Sequence, residues 1–444
     1  MTRLFGTDGV RGLAGTELTE DLAYGLGRAA VVVLGRHGEG HPTFVVGRDP
    51  RASGEWIEDA LVEGIRSAGG DALIAGVEPT PAIAYLTTVL GASSGVVISA
   101  SHNPPEYNGI KFFDATGTKL SDDIEDEIEG ALSDRTGGNE HVGQTLPIGD
   151  GRARYLEHVA EAAETSLDGM HVVIDCANGS ASEVAPTLLE RLGATVHAIH
   201  ADPDGKNIND GCGALYPEVV AAEVVRLVAH AGVSLDGDAD RALFADAAGA
   251  IVDGDQVLAA CAIDMKRRGA LERNTVVTTV MANLGFHHAM REAAIEVVAS
   301  KVGDRYVLED MVRLDAPIGG EQSGHVIFRE YASTGDGLLT AVRFLSLAAR
   351  RAVTIAELAS VVHRYPQRMI NVQVGDRGSL EGAETIWEAV RAAEAALGDE
   401  GRVLVRASGT EPVVRVMVEA ATEELATMHA GAVVKVVRAS LGSS

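Results

Sequence analysis

Four polar stretches, each next to an apolar run, hold the residue types that chemistry requires. In Val96-Val97-Ile98-Ser99-Ala100-Ser101-His102-Asn103-Pro104 the β-branched run reads as a buried strand that stops at small polar residues, a histidine and proline. Ser101 and His102 therefore sit on a loop at a strand end, and in open α/β sheets the ligand crevice lies beyond such ends. The plain alternative is a hydroxyl that caps a neighbouring backbone N–H. Asp236, Asp238 and Asp240 alternate with Gly237 and Ala239, a spacing that in an extended stretch points three carboxylates the same way. Like charges so placed call for a hard cation with oxygen ligands, with Mg²⁺ favoured if a phosphate oxygen completes the set. The spacing also opens calcium loops, but Arg241-Ala242-Leu243-Phe244 is strand-like and the later acidic ligand is missing. A solvated acidic turn is the remaining alternative.

Gly319-Gly320-Glu321-Gln322-Ser323-Gly324-His325 sets a carboxylate, an amide, a hydroxyl and an imidazole among glycines. Vicinal sugar hydroxyls are a natural partner for Glu321 and Ser323, whereas His325 by itself reads more often as a satisfied structural histidine. Arg406-Ala407-Ser408-Gly409-Thr410, followed by Arg415, combines a guanidinium, two hydroxyls and a glycine that lets backbone amides approach, as a phosphate requires; an ordinary polar turn with a surface arginine is the alternative. Lys111 begins an apolar strand close to the Ser101 loop, where its amine either serves the site or snorkels from a strand edge. Arg11 and Arg48 are read on loops, where each can donate to phosphate or pair with acids.

The elements that position these stretches repeat. Lys111-Phe112-Phe113-Asp114 resembles Leu243-Phe244-Ala245-Asp246 and, more loosely, Val326-Ile327-Phe328. Upstream strands at Thr43 to Val46, His171 to Ile174 and Thr275 to Thr279 each lead through a small-residue loop into a helical pattern. The fold class expected is α/β, with three related α/β units whose mixed, mostly parallel sheets surround a central cleft, plus a smaller C-terminal α+β domain. Boundaries are expected at residues 1–150, 151–252, 253–366 and 367–444. In the last, Ile370 to Val374 and Arg402 to Val405 read as strands, and Glu384 to Leu397 and Glu423 to Leu441 as helices.

The 444 residues carry 37 basic and 64 acidic side chains, a net charge of −27 that opposes binding to nucleic acid or an anionic membrane. Apolar runs such as Ala29 to Leu34 and Val257 to Ile263 are far too short to span a bilayer, which takes about 20 residues. No secretory signal is read at the N-terminus. Three scattered cysteines, Cys176, Cys212 and Cys261, argue against a disulfide framework or zinc cluster and suit a reducing cytoplasm.

Jointly, Phe5 to Gly12, Ser99 to Pro104, Asp236 to Arg241, Gly319 to His325 and Arg406 to Pro412 resemble the α-D-phosphohexomutase superfamily, in its expected order and over essentially the whole chain. The sugar loop, with Val302-Gly303-Asp304-Arg305-Tyr306-Val307, is closer to its glucosamine phosphate branch than to its glucose or mannose branches. Cys176 to Ala181 only approximates the usual second-domain turn. The resemblance implies interconversion of glucosamine 6-phosphate and glucosamine 1-phosphate, feeding UDP-N-acetylglucosamine synthesis. It implies a phosphoserine at Ser101, glucosamine 1,6-bisphosphate as intermediate, and that compound or glucose 1,6-bisphosphate as primer. Mg²⁺ would be held by Asp236, Asp238, Asp240 and phosphorylated Ser101, with Arg241 stabilising the transferring group. Lys111 and His102 are the candidates for general base, Lys111 preferred. Glu321, Ser323 and His325 would bind the sugar, and Arg11, Arg406, Ser408, Gly409, Thr410 and Arg415 the substrate's phosphates. Homodimers are common in families resembling this one. Phosphoglucomutase or phosphomannomutase activity is the first alternative; a serine-nucleophile phosphatase leaves the second phosphate loop without a purpose, and a non-catalytic sugar-phosphate sensor would be suggested only by a broken Ser101 or Asp triad.

Overall fold

The computed structural model describes residues 3–6, 8–37, 41–133, 142–375, 377–408 and 412–442. Two compact units are present, Met1–Met281 with Ile295–Val361, and Ala282–Ala294 with Val362–Ser444.

The larger unit opens with β1 (Val10–Leu13), α1 (Glu20–His37), β2 (Thr43–Arg48), α2 (Gly54–Ser67), β3 (Asp71–Val77), α3 (Thr80–Val89), β4 (Ser94–Ile98), β5 (Tyr107–Phe113), α4 (Asp122–Ala131) and β6 (Thr145–Pro147). These strands form one sheet in the order β1-β5-β4-β2-β3-β6. The β2–β3, β2–β4 and β3–β6 pairs are parallel, and β5 runs antiparallel to both β4 and β1. All five residues of β4 are buried, so it reads as a continuous small and apolar run instead of an alternating one. Pro81 lies in the first turn of α3, where a missing N–H costs nothing.

The second sheet follows α5 (Gly151–Glu161), with β7 (His171–Asp175), α6 (Val184–Arg191), β8 (Thr195–Ile199), α7 (Pro217–Leu227), β9 (Ala231–Leu235), β10 (Ala242–Asp246) and β11 (Ile251–Val252). Its order is β11-β10-β9-β7-β8, with β7–β8 and β7–β9 parallel and β9–β10 antiparallel. The third comprises α8 (Gly254–Arg267), β12 (Thr275–Thr279), then, beyond α9 (Leu284–Glu292), β13 (Glu296–Ser300), α10 (Asp304–Leu314), β14 (Ile318–Gly320), β15 (Val326–Phe328), α11 (Gly337–Arg351) and α12 (Ile355–Ala359). It runs β13-β12-β14-β15, again with an antiparallel final pair. Asp253 and Gln256 close a reciprocal capping box at the start of α8.

The three phenylalanine-bearing segments thus occupy equivalent places: β5, β10 and β15 each pair antiparallel to the strand before them. Each loaded loop is the connection between such a pair. The strand-loop-strand repeat read from sequence is the repeat of the fold.

The smaller unit contains α9 together with β16 (Gln367–Gln373), α13 (Glu384–Leu397), β17 (Gly401–Ala407), β18 (Val413–Ala420) and α14 (Glu423–Leu441). Its sheet is wholly antiparallel, β16-β18-β17. Both helices and the two outer strands match the sequence reading, but the central strand β18 was not read, although Val414, Val416 and Val418 alternate into its core. Buried Glu419 ties α9 to this sheet, accepting from the Leu284 N–H at 2.8 Å and from Arg402 Nε at 2.7 Å.

Candidate active site

Ser101 follows β4 in the left-handed region, φ +51°, and is almost fully buried. Its hydroxyl donates to Asp236 Oδ2 at 2.6 Å, and His102 Nδ1 lies 3.3 Å from Ser101 Oγ. Asp236, Asp238 and Asp240 are buried, with one ligand atom from each within 4.8 Å of the others. They do not lie on an extended stretch. The segment is a turn with Ala239 at φ +56°, and it is this reversal that brings the three carboxylates together. Burial, joined by the Asp240 and Asp238 charges, pushes the Asp236 carboxyl well above its ordinary range. Asp238 Oδ1 and Asp240 Oδ1 are buried without a hydrogen-bond partner. An all-oxygen set with mutual repulsion and orphaned lone pairs fits a hard divalent cation.

Cations close the other sides. Lys111 on β5 donates to Asp238 Oδ2 at 2.8 Å, and the Thr80 hydroxyl donates to the same oxygen at 2.8 Å. Burial works against the Lys111 charge, but Asp238 and Asp8 outweigh it and hold the ammonium above its usual pKa. His102 is pushed the other way, down to about 4, by burial and by the Arg241 and Arg11 guanidinium groups. The Arg241 N–H donates to Asp236 Oδ1 at 3.2 Å, its Nε is 3.7 Å from Asp240 Oδ1, and despite burial Asp240 and Asp236 keep it firmly charged.

In the sugar loop, Glu321 Oε1 accepts the Gly303 N–H at 3.1 Å and Glu321 Oε2 accepts from the Ser323 hydroxyl at 3.5 Å. Gly303 sits at φ +130°, open to glycine alone among common residues. His325 is buried, accepts the Gly335 N–H on Nε2 at 3.2 Å, and has that nitrogen 3.5 Å from Asp304 Oδ2 and 4.0 Å from Asp240 Oδ2. Asp304 in turn is 2.5 Å from Lys119 Nζ, whose other partner is Asp8 at 2.5 Å.

Arg11 stands on β1, not on a loop, and pairs with Asp8 at 3.0 Å; Arg48 ends β2 and pairs with Glu55 and Glu58. In the smaller unit Arg406 on β17 is directly opposite Arg415 on β18, and burial together with the Arg415 charge lowers the Arg406 pKa. Ser408 is buried, its N–H donating to Val413 O at 2.9 Å. Gly409 and Thr410 lie outside the described residues.

Sequence reasoning passed over Thr80, Asp8, Lys119, Asp304 and Arg51. Asp8 and Asp304 stand in stretches that carry the resemblance, but only the fold shows what they touch. The three cysteines are unpaired and buried. Cys212 lies near Asp175 and His200, but the Asp175 oxygens accept the Ala177 and Gly213 N–H groups and burial raises the thiol to about 12. No helix among the described residues is long and apolar enough to cross a membrane.

Four family descriptions match the chain in succession: phosphoglucomutase/phosphomannomutase α/β/α domain I over residues 2–137, domain II over 153–249, domain III over 253–365, and the C-terminal domain over 369–439. The chain therefore belongs to the phosphoglucomutase/phosphomannomutase family, the α-D-phosphohexomutases, and its class is that of the phosphomutase isomerases. Within that class its similarity is to the phosphoglucosamine mutases. That of Rhodococcus jostii is 52% identical, covering 96% of this chain and 97% of its own, and that of Thermobifida fusca is 51% identical, covering 99% of both. Among solved structures, a phosphoglucomutase/phosphomannomutase family protein from Burkholderia thailandensis superimposes with TM-score 0.85 at 26% identity, covering 99% of this chain and 98% of that one. The Aspergillus fumigatus N-acetylphosphoglucosamine mutase, solved with GlcNAc-6P and magnesium, shares the fold at TM-score 0.68 and 18% identity, covering 99% and 96%.

Proposed function

We propose that the chain interconverts glucosamine 6-phosphate and glucosamine 1-phosphate through a phosphoserine at Ser101 and glucosamine 1,6-bisphosphate, supplying UDP-N-acetylglucosamine synthesis in the cytoplasm. The observation that carries the reading is the Ser101 hydroxyl held 2.6 Å from Asp236 in a triad whose neighbours keep two buried oxygens unpartnered. Substrate identity is supported by relatives about half identical over nearly the full chain.

In the forward half-reaction the bond between phosphorus and Ser101 Oγ breaks as one forms to the free sugar hydroxyl, and that hydroxyl gives up its proton. After the bisphosphate reverses, the other phosphoryl group returns to Ser101. Asp236, Asp238 and Asp240, with phosphorylated Ser101, would hold a Mg²⁺, which would supply neutralisation of charge on the transferring group. Arg241, fixed in its charged form, adds a guanidinium to the same charge. Of the two candidates for proton acceptor, Lys111 was preferred from sequence, but its ammonium is committed to Asp238. The neutral imidazole of His102, 3.3 Å from Ser101 Oγ, is the better placed base, with Lys111 acting as a fixed cation. Glu321 and Ser323 take sugar hydroxyls, and buried His325, against Gly335 and Asp304, supports that loop. Arg11, Arg406, Ser408, Gly409, Thr410 and Arg415 take the phosphates.

The test is turnover on glucosamine 6-phosphate, glucose 1-phosphate and mannose 1-phosphate side by side, with Mg²⁺ and the matching bisphosphate, for the wild type and Ser101→Ala. Preference for glucosamine 6-phosphate with complete loss in the variant is expected. Preference for glucose or mannose phosphate would keep the mechanism and change the substrate; undiminished turnover in Ser101→Ala would remove the central step.

A further inference from the structure

Ser101 is held by its backbone from three directions. Its N–H donates to Ser99 Oγ at 2.9 Å, and that hydroxyl donates to Asp49 Oδ2 at 2.5 Å. Its carbonyl, turned aside by the left-handed φ, accepts from Arg51 Nη2 at 3.0 Å and from Asn209 Nδ2 at 2.9 Å. The same two donors take the Asn103 carbonyl, at 2.8 Å and 3.1 Å. Arg51 Nη1 reaches the Pro104 and Tyr107 carbonyls, and Nε is anchored on Asp49 Oδ2 at 2.9 Å. The Arg51 side chain is wholly buried, so its guanidinium fork is spent on this one loop.

Asn209 approaches from the segment matched to domain II, which also carries the acidic turn. That turn closes on the same junction: a Cβ on Gly237 would stand 2.7 Å from the Ser101 carbonyl oxygen and 2.8 Å from Asn209 Nδ2. The Asp236-Gly237-Asp238 backbone can therefore lie against the nucleophile's loop only while the clamp keeps that carbonyl in place and residue 237 has no side chain. The Asp236–Ser101 contact follows from this packing.

Resting on the mutase reading above, we propose that Asn209 and Arg51 are positioning residues for phosphoryl transfer: together they clamp the Ser101 and Asn103 carbonyls, hold Ser101 in its left-handed conformation, and register the nucleophile against the acidic turn. Both side chains are buried and give these donors to carbonyls of the Ser101 loop, so their loss acts on transfer to and from Ser101 and not on substrate affinity.

Asn209 is itself left-handed, φ +58°, so Asn209→Gly keeps the backbone and removes only the donor. Asn209→Asp keeps the shape and turns an acceptor onto two carbonyls. Full-length wild type and both variants, dephosphorylated, are mixed with glucose 1,6-bisphosphate and Mg²⁺, and phosphoserine formation is followed by rapid quench and intact mass. KM for glucosamine 6-phosphate and the urea midpoint are measured alongside. Because misplacing a reacting group by about 1 Å costs on the order of a hundredfold, the glycine variant is expected to phosphorylate at least about tenfold more slowly, and the aspartate variant more slowly still, with KM within about twofold of wild type. A phosphorylation rate within about twofold of wild type, or a loss carried by KM instead, overturns the clamp. A wild type that takes up no phosphoryl group overturns the mutase reading and the clamp with it; competent variants of a competent wild type overturn the clamp alone.

Discussion

Replacing Lys119 with Met tests how the first and third sheets of the larger unit are joined beside the sugar loop. The side chain is 9% exposed and lies 2.5 Å from both Asp8 and Asp304, which are 27% and 13% exposed. At that distance and an effective dielectric constant near 20, each contact is worth about 6–7 kcal/mol of gross attraction, most of which offsets the desolvation of three charges. Deleting one partner of a buried pair nevertheless costs about 3–5 kcal/mol, because the remaining charge stays buried. Asp8's partial exposure places this case near the lower end, about 3 kcal/mol. The pH dependence carries the sign. Although burial opposes ionisation, Lys119 holds both carboxyls below their ordinary range in the folded wild type, so its contribution is complete above the unfolded value and fades as pH falls through the folded one. In Lys119→Met burial raises the Asp304 carboxyl, so the variant loses stability as pH rises past the unfolded value. The deficit should be widest near pH 7 and shrink toward pH 4. Urea unfolding of both proteins across that range measures it, and a Lys119→Met/Asp304→Asn cycle isolates the pair. KM for the sugar phosphate should rise as well, since Asp304 and Gly303 carry contacts to His325 and Glu321. A deficit under about 1 kcal/mol, equal at pH 4.5 and pH 7, would refute the reasoning.

Two further predictions bear on other parts of the larger unit. Asp336, raised to about 6 by burial against the pull of the Leu339 N–H and the Tyr155 hydroxyl, should lower folding stability by about 3 kcal/mol as pH rises from 4 to 7, because the folded state binds the extra proton in that window. Asp336→Asn keeps an acceptor for the α11 cap, so the stability difference between variant and wild type should grow in the variant's favour from pH 4 to 7; a flat difference would show that the carboxyl titrates normally. Asp238→Asn should raise the Mg²⁺ concentration for half-maximal turnover on the order of tenfold or more, a direct ligand mattering at least as much as an outer-shell partner. An unchanged Mg²⁺ requirement would reduce the triad to a turn.

Parts of this architecture were legible because local pattern and tertiary role coincide. The all-buried run of β4 ending at Ser101 and the repeated phenylalanine strands state both an element and its neighbour. β18 was missed because Arg406 to Arg415 reads as one polar loop until the alternation of Val414, Val416 and Val418 is given weight. The sequence reading brought the three carboxylates together for an incorrect geometric reason: a strand would have displayed them in a row about 13 Å long over four residues, whereas the left-handed Ala239 folds them within 4.8 Å of one another.

What stayed hidden shares one physical character. Asp8, Lys119 and Asp304, like Arg51 and Asn209, are polar groups whose partners lie far away in sequence, and their cost of burial is offset only when the partners arrive. A lone lysine before Leu120 or an asparagine between Ile208 and Asp210 looks like surface. In the fold each becomes buried or nearly so, and each must then be satisfied in one geometry. Apolar periodicity can place such a residue on an element but cannot say what it will face, because the hydrophobic effect is non-directional and the hydrogen bond is not. The sheets consequently follow from pattern, while the angle at which Ser101 meets the acidic turn depends on a few buried polar contacts between loops of the larger unit. If that division holds, single substitutions in the strand cores should shift stability with little effect on phosphoryl transfer per folded molecule, and Asn209→Gly should do the reverse.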